Sequence, residues 1–116
     1  MNLPFFRLGA LSCALAVVLG AFGAHALKTT LAPDQLQVFE TAVRYQFLAA
    51  LGLQLGALAR PQRDYPLKLL LLGSLLFSGS LYLLLLTQQR WLGPITPLGG
   101  LSMIVAWLTL AYEVQA

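Results

Sequence analysis

The sequence predicts an all-α membrane protein with four transmembrane helices in an antiparallel bundle. Hydrophobic residues make up 59% of the 116 residues, and charged residues make up only 9%. A soluble domain is about 45–50% apolar and about 25% charged. The apolar residues also form runs long enough to cross a hydrocarbon core, which takes roughly 20 helical residues. With a mean hydropathy of +0.78, this composition excludes a soluble enzyme and a disordered chain.

Three of the predicted helices follow directly from these apolar runs, at about 8–27, 67–86 and 96–113. Pro94 and Pro97 precede the last run, so its regular helix is expected to begin near the second of them. Because the spans use most of the chain, residues 1–116 are interpreted as a single integral membrane domain.

The remaining helix is predicted at 33–59 and is long and amphipathic at its start. Its apolar segment, 47–59, is too short to cross a membrane alone. Apolar residues recur at helical spacing in the preceding segment, 33–46. Glu40 also precedes Arg44 by four positions, which is the favourable order for an ion pair along a helix.

The basic residues predict the orientation in the membrane. Cytoplasmic loops carry the excess of lysine and arginine, and four predicted spans place both termini on one side. We therefore expect a multi-pass protein of the inner (plasma) membrane with both termini in the cytoplasm. The cytoplasmic side would carry Arg7, Arg60, Arg63 and Lys68, and the other side would carry Lys28, Arg44 and Arg90.

The first helix also has features of a secretory signal, because Ala24-His25-Ala26 imitates a cleavage site. Cleavage there would leave three spans. The apolar run before this site is longer than the roughly 7–15 residues of a signal core, which favours a helix that is retained.

Small residues recur at steps of three and four in every predicted helix, and inside lipid they let neighbouring helices pack closely. Packing within one monomer is one interpretation, and a homo-oligomer or another membrane protein as partner is the other. Gly52 and Gly56 form a GxxxG motif, which is compatible with either interpretation. The hydroxyls of Ser74, Ser78 and Ser80 are expected to bond carbonyl groups of their own helix. The predicted packing positions are Gly9, Gly20, Gly23, Gly52, Gly56, Ser78, Gly79, Gly99 and Gly100.

A polar cluster is predicted at the non-cytoplasmic end of the bundle, where the first two helices and the third connection meet. Ionisable groups within spans are candidates for function. One hypothesis makes His25 a proton acceptor with Glu40 as its partner. The favoured alternative is a structural cap that satisfies the helix ends. The predicted cluster consists of His25, Glu40, Arg44, Tyr45, Gln46 and Thr96.

The sequence offers no signature of catalysis or of a cofactor site. It holds one histidine and one cysteine, too few for a His/Cys metal set. The net charge of +3 includes no run of like charges, so nucleic acid is not an expected partner. We expect a protein that is not an enzyme, binds no metal or cofactor, and has membrane lipids as its partners.

Four short motifs, in order along the chain, resemble those of the YgdD-like family of small inner-membrane proteins of unknown function. The resemblance implies a four-helix fold and an inner-membrane location, and it implies no activity. Relatives often carry a second histidine after the Tyr-Gln pair, whereas the corresponding position here, near Ala49, is apolar. The motifs are Gly20-Ala-Phe-Gly-Ala-His25, Tyr45-Gln46, Phe77-Ser-Gly-Ser-Leu-Tyr82 and Thr96-Pro-Leu-Gly-Gly100.

Two functions follow as hypotheses. The first is a non-catalytic accessory, assembly or lipid-interacting helix bundle, which needs only packing faces and interface anchors. The alternative is an oligomeric small-solute or proton-coupled transporter or channel that uses the polar cluster around His25 and Glu40.

Overall fold

The structure, a computed structural model, describes residues 1–114 and is all-helical over that range, with no strand in it. It has four long helices, and three of them are long and apolar enough to cross a membrane. The last of these three includes the short 3₁₀ turn that precedes the final helix. The second helix, whose first half carries several charges, is not among these three. The helices are α1 (Leu3–Leu27), α2 (Pro33–Ala59), α3 (Tyr65–Thr87) and α4 (Ile95–Glu113), and a 3₁₀ turn (Arg90–Leu92) precedes α4.

Proline in the first turn marks the start of the first three helices, where its missing N–H removes no helical hydrogen bond. α1 begins at Leu3, five residues before the predicted start at 8. The helix begins before the predicted apolar run because Asn2 caps its start: the Asn2 side chain accepts a hydrogen bond from the Phe5 N–H, 3.5 Å away. The C-cap residues of α2 and α3 are Arg60 and Gln88, whose left-handed φ angles are 52° and 55°.

A π-helical segment, Val18–Gly23, interrupts the regular geometry of α1. Gly20 and Gly23 lie within it and face α2. A Cβ atom on Gly20 would lie 3.1 Å from Val43, and one on Gly23 would lie 3.1 Å from Phe39. The absence of side chains here therefore lets the two helices pack closely.

The helices pack in a row, each mainly against its neighbour in the chain, and the molecule measures 49 × 27 × 18 Å. The Asn2 N–H donates to the Ala57 carbonyl at 3.2 Å, so the start of α1 lies at the end of α2. One apolar core joins α2, α3 and α4, and a second joins α1 to α2 around Ala16, Phe39 and Val43.

The GxxxG motif of α2 packs inside the chain. A Cβ on Gly52 would lie 2.5 Å from the Trp107 ring, and one on Gly56 would overlap Leu67. Both glycines are buried. This face of α2 is occupied by α3 and α4, so it is not an exposed surface for a second copy.

The other predicted packing positions divide into close contacts and open space. A Cβ on Gly9 would lie 2.6 Å from the Ala50 carbonyl oxygen, and one on Gly99 would overlap the Phe77 backbone. A Cβ on Gly100 would make an ordinary 3.5 Å contact with the Phe77 ring. A Cβ on Gly79 would meet nothing within 4 Å, so the prediction of close packing there is wrong, since Gly79 borders a cavity.

Candidate functional site

Three side chains from three helices form a hydrogen-bonded cluster, the polar triad of Ser12, Gln46 and Tyr82. The Gln46 amide nitrogen donates to the Ser12 carbonyl oxygen at 3.1 Å and lies 3.4 Å from the Ser12 hydroxyl. The Tyr82 hydroxyl donates to the Gln46 amide oxygen at 2.6 Å. Gln46 is only 5% exposed. The triad therefore joins α1, α2 and α3 through one buried amide.

Helix α2 positions the triad because Gln46 lies on its buried stripe, together with Phe39, Ala42 and Val43. A second bond fixes the same interface: the Ser78 hydroxyl donates to the Ala42 carbonyl at 2.7 Å. The prediction that Ser78 bonds its own helix is wrong. Ala42 is fully buried and has a small side chain, which brings the α2 backbone within reach of α3.

The triad lies deep within the helices. Ser78 is level with Ala42 and lies nine residues before Thr87, where α3 ends. At 1.5 Å per residue, this separation places Ser78 about 13 Å from the end of the helix. Since half of a hydrocarbon core is about 15 Å, Ser78 and the nearby triad fall near mid-depth of a membrane that α3 crosses.

Two neighbouring cavities open between α1 and α3, with α2 as their floor, and together we name them the α1–α3 cleft. The smaller cavity, about 200 Å³, contains the triad and the hydroxyls of Ser74 and Ser78. The larger, about 440 Å³, is lined almost entirely by hydrocarbon. Leu15 and Tyr82 border both. The larger cavity is lined by Leu15, Leu19, Leu27, Leu31, Phe39, Tyr82, Leu85 and Leu86.

The structure disperses the predicted polar cluster. Gln46 belongs to the buried triad, whereas the Thr96 hydroxyl pairs with that of Ser80. Tyr45 packs on the Phe77 ring, with centroids 4.9 Å apart and planes at 57°. These three residues therefore occupy separate contacts rather than one site.

The ionisable members of that cluster, His25, Glu40 and Arg44, are all exposed. Within residues 1–114, no side-chain hydrogen bond or ion pair joins any two of the six predicted residues, and the expected ion pair along α2 is absent. An exposed pair of this kind contributes little to helix stability. The ion pair that the described chain does contain joins Asp64 to Lys68 at 3.6 Å.

Sequence reasoning missed Ser12 and Tyr82 as members of a site. Tyr82 entered only as part of a family motif, and Ser12 received no role. The available signal was their occurrence inside otherwise apolar runs, where buried hydroxyls need partners. In the described part of the chain, no group of three His, Cys, Asp or Glu side chains lies close enough together to bind a metal ion.

Comparisons with known proteins identify the family. A family model described as a protein of unknown function (DUF423) matches residues 19–100. The chain is 46% identical to a UPF0382 membrane protein of Staphylococcus haemolyticus, over 91% of this chain and 90% of that protein. It is 43% identical to the UPF0382 membrane protein YwdK of Bacillus subtilis, over 91% of each. The UPF0382 inner membrane protein YgdD of Escherichia coli is 38% identical, over 84% of this chain and 79% of that protein.

No solved structure matches the chain. The sequence matches cover most of the chain and confirm the resemblance to the YgdD-like family. With three helices apolar enough to cross a membrane, this chain belongs to the DUF423 family of uncharacterised membrane proteins.

Proposed function

We propose that this chain is a non-catalytic inner-membrane protein that holds the hydrocarbon chain of a membrane lipid in the α1–α3 cleft. The observation that carries the proposal is the larger cavity of the cleft, a volume of about 440 Å³ with walls of leucine, Phe39 and Tyr82. Sites for small molecules are typically about 300–1,000 Å³ and mostly apolar.

The polar triad limits what the cleft accepts. The Gln46 amide already bonds Ser12 and Tyr82, so it has little capacity left for an ion or a sugar. The neighbouring walls are apolar and offer no charge to a polar solute. A hydrocarbon chain matches such walls, and the triad then serves to hold the three helices around it.

The proposal includes a membrane arrangement of four antiparallel spans with both termini in the cytoplasm. α2 is the additional span. It lies between α1 and α3, and its second half is apolar apart from Gln54. The bond from Asn2 to Ala57 and that from Gln62 to Glu113 bring both ends of the described chain to the α2–α3 connection. That end carries the larger share of basic residues.

The alternative, a transporter or channel built on His25 and Glu40, gains no support from the geometry. Both side chains are exposed, and within the described residues neither bonds another member of the predicted cluster. A proton path needs such groups within hydrogen-bond reach of one another.

The test is to purify the protein gently into lipid nanodiscs and to measure retained lipid by native mass spectrometry. Leu19 lines the cleft, so Leu19→Trp is expected to fill it and to release the lipid. Leu108, which is 68% exposed on α4, provides the control Leu108→Trp, which is expected to retain lipid as the parent does. Equal retention by all three proteins would contradict the proposal.

A further inference from the structure

An exposed stripe of seven residues runs the length of α2. Its members follow one another at steps of three and four, so they share one side of the helix. All seven are exposed, and the four toward the end of α2 are leucines. This α2 stripe consists of Gln37, Glu40, Arg44, Leu48, Leu51, Leu55 and Leu58.

In the proposed arrangement, where α2 crosses the membrane, the stripe carries charges of opposite sign inside the hydrocarbon core. Ala42 is level with Ser78, which lies about 13 Å from the end of α3 at 1.5 Å per residue. α2 runs inward from that level, so Arg44 lies about 16 Å from the same end and Glu40 about 10 Å. Half of a hydrocarbon core is about 15 Å. The Arg44 backbone therefore lies near the midplane.

These charges cannot be left facing lipid at that depth. Ionisable side chains within spans face protein or water and pair with one another, and only those near helix ends reach the interface. In the part of the chain that the structure describes, neither Glu40 nor Arg44 has an ion-pair partner. The stripe therefore needs a protein surface that supplies an acid within reach of Arg44 and a base within reach of Glu40.

We propose that this surface is the α2 stripe of a second copy of the chain. Two copies inserted in the same orientation, and related by a twofold axis along the membrane normal, place their α2 helices side by side and parallel. Identical residues of the two copies lie at equal depth, so each Arg44 side chain extends one helical turn along the interface to reach the partner's Glu40, and the symmetry forms this pair twice.

The leucine half of the stripe supplies the packing for this interface. Leu51, Leu55 and Leu58 lie on the same side of α2 as Arg44. The GxxxG face and the α1–α3 cleft lie on other sides of the helix, so the interface leaves both unchanged. The inference rests on the proposed membrane crossing of α2 and is independent of lipid binding in the cleft.

Cysteine cross-linking in nanodiscs tests the interface directly. In a Cys13→Ser background, Leu55→Cys is expected to give an oxidised dimer. Leu108→Cys is expected to give none, although the two leucines are similarly exposed, at 63% and 68%. Equal cross-linking at both positions, or none at Leu55→Cys, would overturn the proposal.

A charge exchange tests the pairing. Arg44→Glu and Glu40→Arg each place like charges across the interface, so the dimer fraction should fall by about tenfold or more. The double variant Glu40→Arg/Arg44→Glu restores opposite charges and should restore the dimer. If a single variant fails to fold, the double variant alone decides. A double variant that folds as a monomer, or that forms a complex only with a foreign subunit, contradicts the proposal.

Discussion

The Tyr82 hydroxyl on α3 donates a 2.6 Å hydrogen bond to the side-chain oxygen of Gln46 on α2. The same amide bonds the α1 backbone at Ser12. Inside lipid, helices gain no hydrophobic free energy by packing against each other, so contacts of this kind and close van der Waals packing hold them together. One glutamine therefore links three of the four helices.

Tyr82→Phe is expected to lower the free energy of unfolding by about 1 kcal/mol. The change keeps the ring but leaves the buried Gln46 oxygen without its donor, and interhelical hydrogen bonds in membranes average about 0.6 kcal/mol. Unfolding in mixed micelles with increasing denaturing detergent measures the difference. Tyr112→Phe is the control, since that side chain is 84% exposed. Equal stability of the two variants would show that the bond contributes nothing.

Ser78→Ala is expected to destabilise the α2–α3 interface by about 0.5–1.5 kcal/mol, the usual contribution of one hydrogen bond. Its hydroxyl bonds the Ala42 carbonyl at 2.7 Å, and that carbonyl would lose the contact. Ser74 lies one turn away and borders the cavity. Ser74→Ala should therefore change stability by less than about 0.5 kcal/mol. The same unfolding titration compares the two, and a larger loss for Ser74→Ala would contradict the structure.

The fold class follows from composition and apolar runs, because crossing a membrane requires long helices of low charge. α2 has the predicted bounds of 33–59, because Pro33 and Pro61 limit it at the two ends. The start of α1 was less predictable. A helix continues beyond its apolar run wherever a cap such as Asn2 satisfies its first N–H groups, and apolar runs do not report such caps.

The candidate site was predictable only in part. Gln46 and Thr96 were both placed in the polar cluster at one end of the bundle, but their partners depend on how each helix is rotated about its axis. A rotation that buries Gln46 against Tyr82 also turns Glu40 and Arg44 outward. The shared end of α1 and α2 suggested that His25 and Glu40 meet. In the structure both side chains are exposed and no ion pair joins them. The direction in which each points depends on the rotation of its helix, which the lengths of the connections do not determine.

The adjacent glycines of α4 should respond in opposite ways to alanine. A Cβ on Gly99 would lie 2.8 Å from the Phe77 Cα atom, which cannot move aside, so Gly99→Ala should cost about 1–3 kcal/mol. On Gly100 the added methyl group makes an ordinary 3.5 Å contact. Alanine also has the higher helix propensity, so Gly100→Ala should change stability by between zero and a gain of about 1 kcal/mol. Thermal denaturation in detergent, followed by circular dichroism, distinguishes the two.

The membrane crossing of α2 predicts that its two flanking loops lie on opposite sides of the membrane. In a Cys13→Ser background, Thr30→Cys precedes α2 and Gln62→Cys follows it, and both positions are exposed. A membrane-impermeant maleimide added to intact cells should label the cysteine at position 30, and it should label that at 62 only after the membrane is opened. Labelling of both from the same side would mean that α2 lies along the membrane surface. Gln89→Cys, beyond α3, should label like position 30, because a single further span separates it from position 62.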